Sequence, residues 1–393
     1  MHMRRPGWRT VAVVVAGVVA VGVVSVRPHD SPQPRPPAPL SHAGALVGAS
    51  VTGTTTVVPA PARPLTCADV VAQLPLRRRL AQLVMVGLNP ASPADAVQLV
   101  RNEQVGGLFI GGNDTVSLHN GEIAKARAAA ALPLFVAIDE EGGRVQRIPG
   151  PYGRLPSART MATTMTPTQV RTLATSLGNE LRGLGINVDL APDADVSDQP
   201  TDAVIGDRSF SNNPTVVTAY AGAFAAGLRA AGVLPVLKHF PGHGHAVGDS
   251  HTGAAIDPPL SSLLADDLVP YRTLPSAGRG AVMVGHTEVP GLTGSVPASL
   301  SPAAYQLLRT TYRFDGVAFT DDLGSMVAVT AHYSLSDSVL LALRSGADVA
   351  LWTTDSQLPQ ILDRLTAATA SGELPMDRVN QAATRVLTAK GAC

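Results

Sequence analysis

Eight short apolar runs, spread between Leu83 and Thr354, limit what this chain can fold into. They read LVMVGL (Leu83–Leu88), VGGLFIGG (Val105–Gly112), LFVAIDEEGG (Leu134–Gly143), INVDLAPDADV (Ile186–Val196), VLPVLKHFPGHG (Val233–Gly244), GAVMVGHTEVPG (Gly280–Gly291), FDGVAFTDDLG (Phe314–Gly324) and ADVALWTT (Ala347–Thr354). β-Branched and apolar residues dominate them, as in short strands that lie inside a core. Between most of them lie segments with helical spacing, such as PTQVRTLATSLGNELRGLG, PTVVTAYAGAFAAGLRAAG and SDSVLLALRSGA. Strands alternating with helices predict an α/β protein with a parallel sheet. Eight such units over roughly 320 residues predict a single (β/α)8 TIM-type barrel, residues 65–393. The alternative is an open doubly wound sheet, but the G-x-G-x-x-G turn that would favour it does not follow the first run.

Nearly every run ends in groups that a core would reject: Asp139 and Glu140, Asp193 and Asp195, Lys238 and His239, His286 and Glu288, Asp321 and Asp322. These are the C-terminal ends of the predicted strands, where a barrel collects its active site from separate loops. Each residue alone could be a hydrogen-bonded structural group. Their coincidence at one end points to a site.

The N-terminus has a different character. Arg4, Arg5 and Arg9 precede an uncharged run from Thr10 to Val26, so residues 1–26 read as an export signal or membrane anchor, with no clean A-x-A cleavage site. Residues 27–64, rich in Pro, Ala, Ser and Thr, read as an extended spacer. The two cysteines, Cys67 and Cys393, bracket everything after it, and in an exported chain they are expected to pair. Thirty basic and thirty acidic residues leave no net charge, which speaks against a nucleic-acid partner.

The fifth run leads into KHFPGHGHAVGDSH, Lys238–His251, with four histidines, a lysine and an aspartate around three glycines. A metal reading would use His243, His245, Asp249 and His251. Interrupted by Gly and Pro, these residues share no helix face, and the pattern is a loose one for a metal. Asp249 and His251, two apart in a glycine-flanked loop, suit a different task. A carboxylate orients an imidazole and favours its protonated form, so the ring can donate and then accept a proton near neutral pH. The partner for such a dyad is Asp321, a carboxylate able to attack an anomeric carbon.

Four of these segments together resemble a known family. KHFPGHG followed by DSH, with IDEEGGRVQR (Ile138–Arg147), IGDRSF (Ile205–Phe210) and the FDGVAFTDDL segment, is similar to the bacterial β-N-acetylglucosaminidases of glycoside hydrolase family three. The resemblance runs from about Leu80 to Ala370 and implies catalytic residues Asp321 as nucleophile, His251 as acid/base and Asp249 as its partner. It implies substrate contacts from Asp139, Arg147, Arg208, Lys238 and His239, while Glu140, Glu141, His243 and His245 would support loops. The implied reaction is exo-acting, retaining hydrolysis of terminal β-linked N-acetylglucosamine, without metal or organic cofactor. Peptidoglycan fragments are the expected substrate and the outer face of the membrane the expected setting. One departure is Gly324, an apparent insertion in the usual D-D-L-S-M. Alternatives are transfer to phosphate, a β-glucosidase, a metal-dependent hydrolase, and a sugar-binding protein without catalysis. The last would be expected to lack Asp321 or the Asp249/His251 pair, and both are present.

Overall fold

Each apolar run contains a strand: β1 Val84–Gly87, β2 Gly107–Ile110, β3 Phe135–Ile138, β4 Val188–Asp189, β5 Leu234–Phe240, β6 Ala281–Val284, β7 Val317–Asp322 and β8 Val349–Trp352. The computed structural model describes residues 65–88, 95–112, 118, 120–148 and 153–393. The predicted export segment 1–26 and spacer 27–64 therefore lie outside the described residues. Successive strands pair in parallel, and β8 pairs with β1, so the sheet closes on itself as a (β/α)8 barrel. The described residues, from Leu65 to Cys393, belong to one compact unit. β4 is shorter than its apolar run suggested: beyond Asp189 and Leu190 the chain continues as irregular backbone, still joined to β5 by the Val236 amide on the Ala191 carbonyl at 2.9 Å and by a bridge from Asp193 to Lys238.

Strand side chains alternate between two cores, as the period of two requires. Met85, Phe109, Phe135, Val188, Leu234, Val236 and Phe319 fill the barrel interior. Their neighbours Val84, Val86, Leu108, Ile110, Val136 and Ile138 face the helices. This is why the runs are apolar throughout: both strand faces are buried, and each large side chain contributes about 1.5–3 kcal/mol. The helices begin where the sequence supplies caps. Thr166 and Gln169 form a reciprocal capping box ahead of helix Pro167–Gly183, with Pro167 at its first position. That helix lies so close to helix Pro214–Ala230 that a Cβ on Gly227 would stand 2.4 Å from the Arg171 carbonyl oxygen.

The last helix, Met376–Lys390, carries Val386 and Ala389 into the interior core at the N-terminal ends of the strands. Three residues beyond it, Cys393 is disulfide-bonded to Cys67 with a Cα separation of 5.2 Å. The bridge spans 326 positions of sequence, so it removes much freedom from the unfolded chain. Replacing both cysteines by serine is expected to lower stability by roughly 2–4 kcal/mol and leave turnover unchanged. Urea titration checks this, and an unmoved midpoint would count against it.

Candidate active site

A cavity of about 770 Å3 opens at the C-terminal ends of the strands. Two of its strands depart from regular pairing at that rim. The register shifts between Leu237 and Phe240 on β5 and between Phe319 and Asp322 on β7. Bulges of this kind re-aim side chains next to a site. Here they occur where β5 presents Lys238 and His239 and β7 presents Asp321 and Asp322.

The two β7 aspartates have different surroundings. Asp322 is saturated: it accepts from the Gly324 amide at 2.8 Å, the Thr353 amide at 3.1 Å, the Thr353 hydroxyl at 2.9 Å and the Ser325 hydroxyl. Among the described residues Asp321 accepts only the Asp322 amide, at 2.9 Å, and it lines the cavity. Burial pushes the Asp321 carboxyl up, but His239, His286, the Asp322 amide and Lys238 outweigh burial and hold it at about 2. It is an ionised carboxylate with open lone pairs. Gly324, the departure noted in the sequence, uses its amide to hold Asp322 and leaves Asp321 untouched.

Opposite charges line the cavity floor. Lys238 Nζ donates to Asp139 at 2.8 Å and lies 2.6 Å from Glu141. Arg208 grips the same Glu141 with two bonds, 2.8 and 2.9 Å. Burial raises the Glu141 carboxyl, yet the two cations beside it hold it well below the usual carboxylate range. Burial likewise lowers the Lys238 ammonium, and Asp139 and Glu141 reverse that and lift it above its ordinary value. Arg147 stands 3.7 Å from Asp139. It is carried on a hairpin of Glu140–Gly142 and Val145–Gln146, whose far strand is pinned by Glu140 accepting the amides of Arg147 and Ile148 at 2.7 and 3.2 Å.

His239 is oriented from behind. Its Nδ1–H donates to Asp195 at 2.7 Å, and Asp195 also accepts the amides of His239 and His243. The ring's Nε2 edge is left toward Arg208, 3.5 Å away. Asp193, buried beside Asp195, is raised well above the ordinary range by burial and by that neighbouring carboxylate.

The histidine loop supplies the other side of the cavity. His251 Nδ1–H donates to Asp249 at 2.8 Å, and the His251 amide donates to the same oxygen at 2.9 Å. The His251 side chain is 56% exposed, whereas Ser250 between the two is buried, held by the Ala328 amide on its carbonyl at 3.1 Å. Gly248 turns the loop at φ +99°, where a Cβ would stand 2.3 Å from the Ala254 carbonyl oxygen. His243 lies buried behind, 3.4 Å from the Ser250 hydroxyl, and burial, then His239, pushes its ring down to about 4.

An ionised carboxylate and a carboxylate-paired histidine lining one cavity can together supply a nucleophile and a proton donor. Residues 75–389 match the glycosyl hydrolase family 3 N-terminal domain. The chain belongs to glycosyl hydrolase family 3. Within the family, the β-hexosaminidase LpqI of Mycobacterium tuberculosis is 50% identical over 363 residues, 89% of this chain and 93% of that protein. A family 3 glycosyl hydrolase from Mycobacterium smegmatis superposes with a TM-score of 0.79 at 53% identity, covering 81% of this chain and 98% of its own. A family 3 β-N-acetylglucosaminidase from Paenibacillus superposes with a TM-score of 0.76 at 31% identity, covering 81% of this chain and 62% of its own.

In this family 3 barrel, all eight site residues named from sequence (Asp139, Arg147, Arg208, Lys238, His239, Asp249, His251 and Asp321) line one cavity. Glu140 holds a loop as expected, and so does His245, through Nδ1–H bonds of 3.0 Å to both oxygens of Asp267. Glu141 does not fit that expectation: it lines the cavity and joins Arg208 to Lys238. Asp195 and Thr353 were not given roles from sequence. Only the strand-end position of Asp195 signalled it, and nothing local marks Thr353. The quartet His243, His245, Asp249 and His251 does not converge. Among the described residues, donor atoms converge instead at Asp193, Asp195 and His239 and at His245, Asp266 and Asp267.

Because Glu141 is the shared anion of two buried cations, Glu141→Gln is expected to cost roughly 3–5 kcal/mol and to weaken substrate capture. A thermal melt together with KM measures both. A melt equal to the parent's would show that Lys238 and Arg208 do not depend on it.

Proposed function

We propose that this chain is a retaining, exo-acting β-N-acetylhexosaminidase that releases terminal N-acetylglucosamine. The observation that carries the reading is Asp321: an ionised carboxylate with one protein hydrogen bond, in the cavity that the Asp249–His251 pair also lines. The names of the 50% identical relative and of the Paenibacillus structure support the sugar.

In the proposed mechanism Asp321 attacks the anomeric carbon as the bond to the leaving oxygen breaks. That oxygen takes the proton from His251 Nε2, since Nδ1 is committed to Asp249. The neutral ring then takes a proton from water, the water oxygen attacks the anomeric carbon, and the Asp321 carboxylate is released. Asp249 orients the ring and fixes which nitrogen faces the leaving oxygen. Lys238, Arg208 and Arg147 donate to sugar hydroxyls and Asp139 accepts, which together orient the ring. No step draws on a cofactor.

The setting is inferred from the chain's first 64 residues. A basic start, an apolar run and a proline-rich spacer are what an exported or outer-face enzyme carries, and peptidoglycan fragments are then the substrate at hand. The deciding assay is release from an aryl N-acetyl-β-glucosaminide against the aryl β-glucoside, with and without chelator, and with products analysed in phosphate buffer. Free N-acetylglucosamine from the first substrate alone, unaffected by chelator, is the expected result. A sugar phosphate as product would replace hydrolysis by phosphorolysis, and no release by folded protein would end the enzymatic reading.

A further inference from the structure

The opposite end of the barrel carries a second cavity, of about 380 Å3, which the reaction does not use. Its charged lining is Arg127, Arg182, Arg229, Arg279 and Lys390, and among the described residues no carboxylate lines it. The floor is formed by the starts of β3 and β5 at Phe135 and Leu234. Lys390 lies over the Phe135 ring, 5.1 Å from its centre, and donates to Gln82 at 2.7 Å. Arg127 donates to the Gly185 carbonyl at 3.0 Å. The side chains of Arg182, Arg229 and Arg279 make no hydrogen bond or ion pair with the described residues. Asn187, the one other strongly polar lining side chain, is spent on the backbone of Val136 and Leu134.

The same end of the barrel shows what a structural arginine cluster looks like. Arg309, Arg378 and Arg385 converge on the buried carboxylate of Asp348, at 2.5, 2.6 and 3.4 Å. The cavity cations have no such anion. Burial lowers the Lys390 ammonium to about 7, and burial, then Arg182, lowers the Arg127 guanidinium. Burial, then Arg171, does the same to Arg229. Four guanidinium groups gathered around one concavity beside a buried lysine favour an anion that joins them, and guanidinium forks match phosphate oxygens bidentately.

We propose that this cavity is a binding site for a phosphate group, separate from the catalytic cavity at the other end of the barrel. The phosphate can come from a soluble phosphoanion or from the headgroup of an anionic lipid.

The test uses the full chain and two probes at about 150 mM chloride, where weak surface attraction is screened. One is inorganic pyrophosphate, followed by calorimetry. The other is vesicles of phosphatidylglycerol, compared with phosphatidylcholine, followed by co-sedimentation. Both are repeated on Arg182→Gln/Arg279→Gln, two exposed arginines whose side chains hold no other part of the fold, and on Arg279→Gln alone. Turnover of an aryl substrate reports that each variant is folded.

Saturable binding of pyrophosphate, weakened roughly tenfold or more in the double variant, supports a soluble phosphoanion. Binding to phosphatidylglycerol vesicles alone, lost in the double variant, supports a lipid headgroup. No binding to either probe overturns the proposal. So does binding that the active variants retain in full, which would place the anion elsewhere, including in the catalytic cavity. The outcome is independent of which sugar the enzyme cleaves.

Discussion

Asp321→Ala is expected to abolish turnover of N-acetyl-β-glucosaminides, by a factor on the order of 10⁴ or more in kcat, in a protein that still folds. The carboxylate is the atom group that would bond to the sugar, and its neighbour cannot replace it: both Asp322 oxygens are held by Gly324, Ser325 and Thr353. The cost in stability is confined to about 2 kcal/mol, because the nearby cation Lys238 keeps Asp139 and Glu141. The sign of the pH effect follows from the direction of the shift. A carboxyl held at about 2 in the fold, against about 3.9 when unfolded, stabilises the protein above that higher value. The contribution fades as pH falls toward the lower one. Any change in kcat/KM between roughly pH 4 and pH 8 therefore belongs to another group. Stopped-time assays with circular dichroism check both halves. Substantial residual turnover by the variant would remove Asp321 from its role.

His251→Ala is expected to separate substrates by their leaving groups. Where the departing oxygen is an alcohol, as in a glycan, loss of the proton donor should cost on the order of 10²–10⁴ in kcat/KM. With an activated aryl glycoside the first step needs little protonation, so that step should lose far less. Among the described residues the exposed ring bonds only to Asp249, so the melting temperature should stay within a degree or two of the parent's. Equal losses on both substrates would assign His251 to binding. Asp249→Asn should repeat the pattern more weakly, since the ring would remain but its orientation would lose support.

The eight strands were legible in sequence because the barrel buries both faces of each, which leaves uninterrupted apolar runs ending in charge. β4 was the exception in length: its run holds Asp193 and Asp195, which leave the strand to serve the site. Of the eight cavity-lining residues, Asp249 and His251 stood together in one motif and Asp139, Lys238, His239 and Asp321 stood at strand ends, while Arg147 and Arg208 were named only through the family resemblance. What sequence could not give was pairing across the barrel. Glu141 looks like a spare carboxylate beside Glu140 until Arg208, 67 positions away, and Lys238 are brought to it. Asp195 reaches His239 across 44 positions, and Thr353 reaches Asp322 across 31. The cationic cavity was equally hidden, because its five charges come from five separate segments with no local pattern.

The Cys67–Cys393 bond also alters what a cut does to this molecule. Peptide bonds from 67 to 393 together with the bridge form a covalent ring. A protease that severs one surface loop opens the ring without releasing a fragment, so the two halves of a nicked barrel stay tethered and can reclose. The same adjacency, 5.2 Å between the two Cα atoms, means that positions 67 and 393 could be joined by a short peptide once residues 1–66 are removed. New ends could then be placed in a loop at the non-catalytic face, giving a circularly permuted barrel with its strand order around the ring preserved.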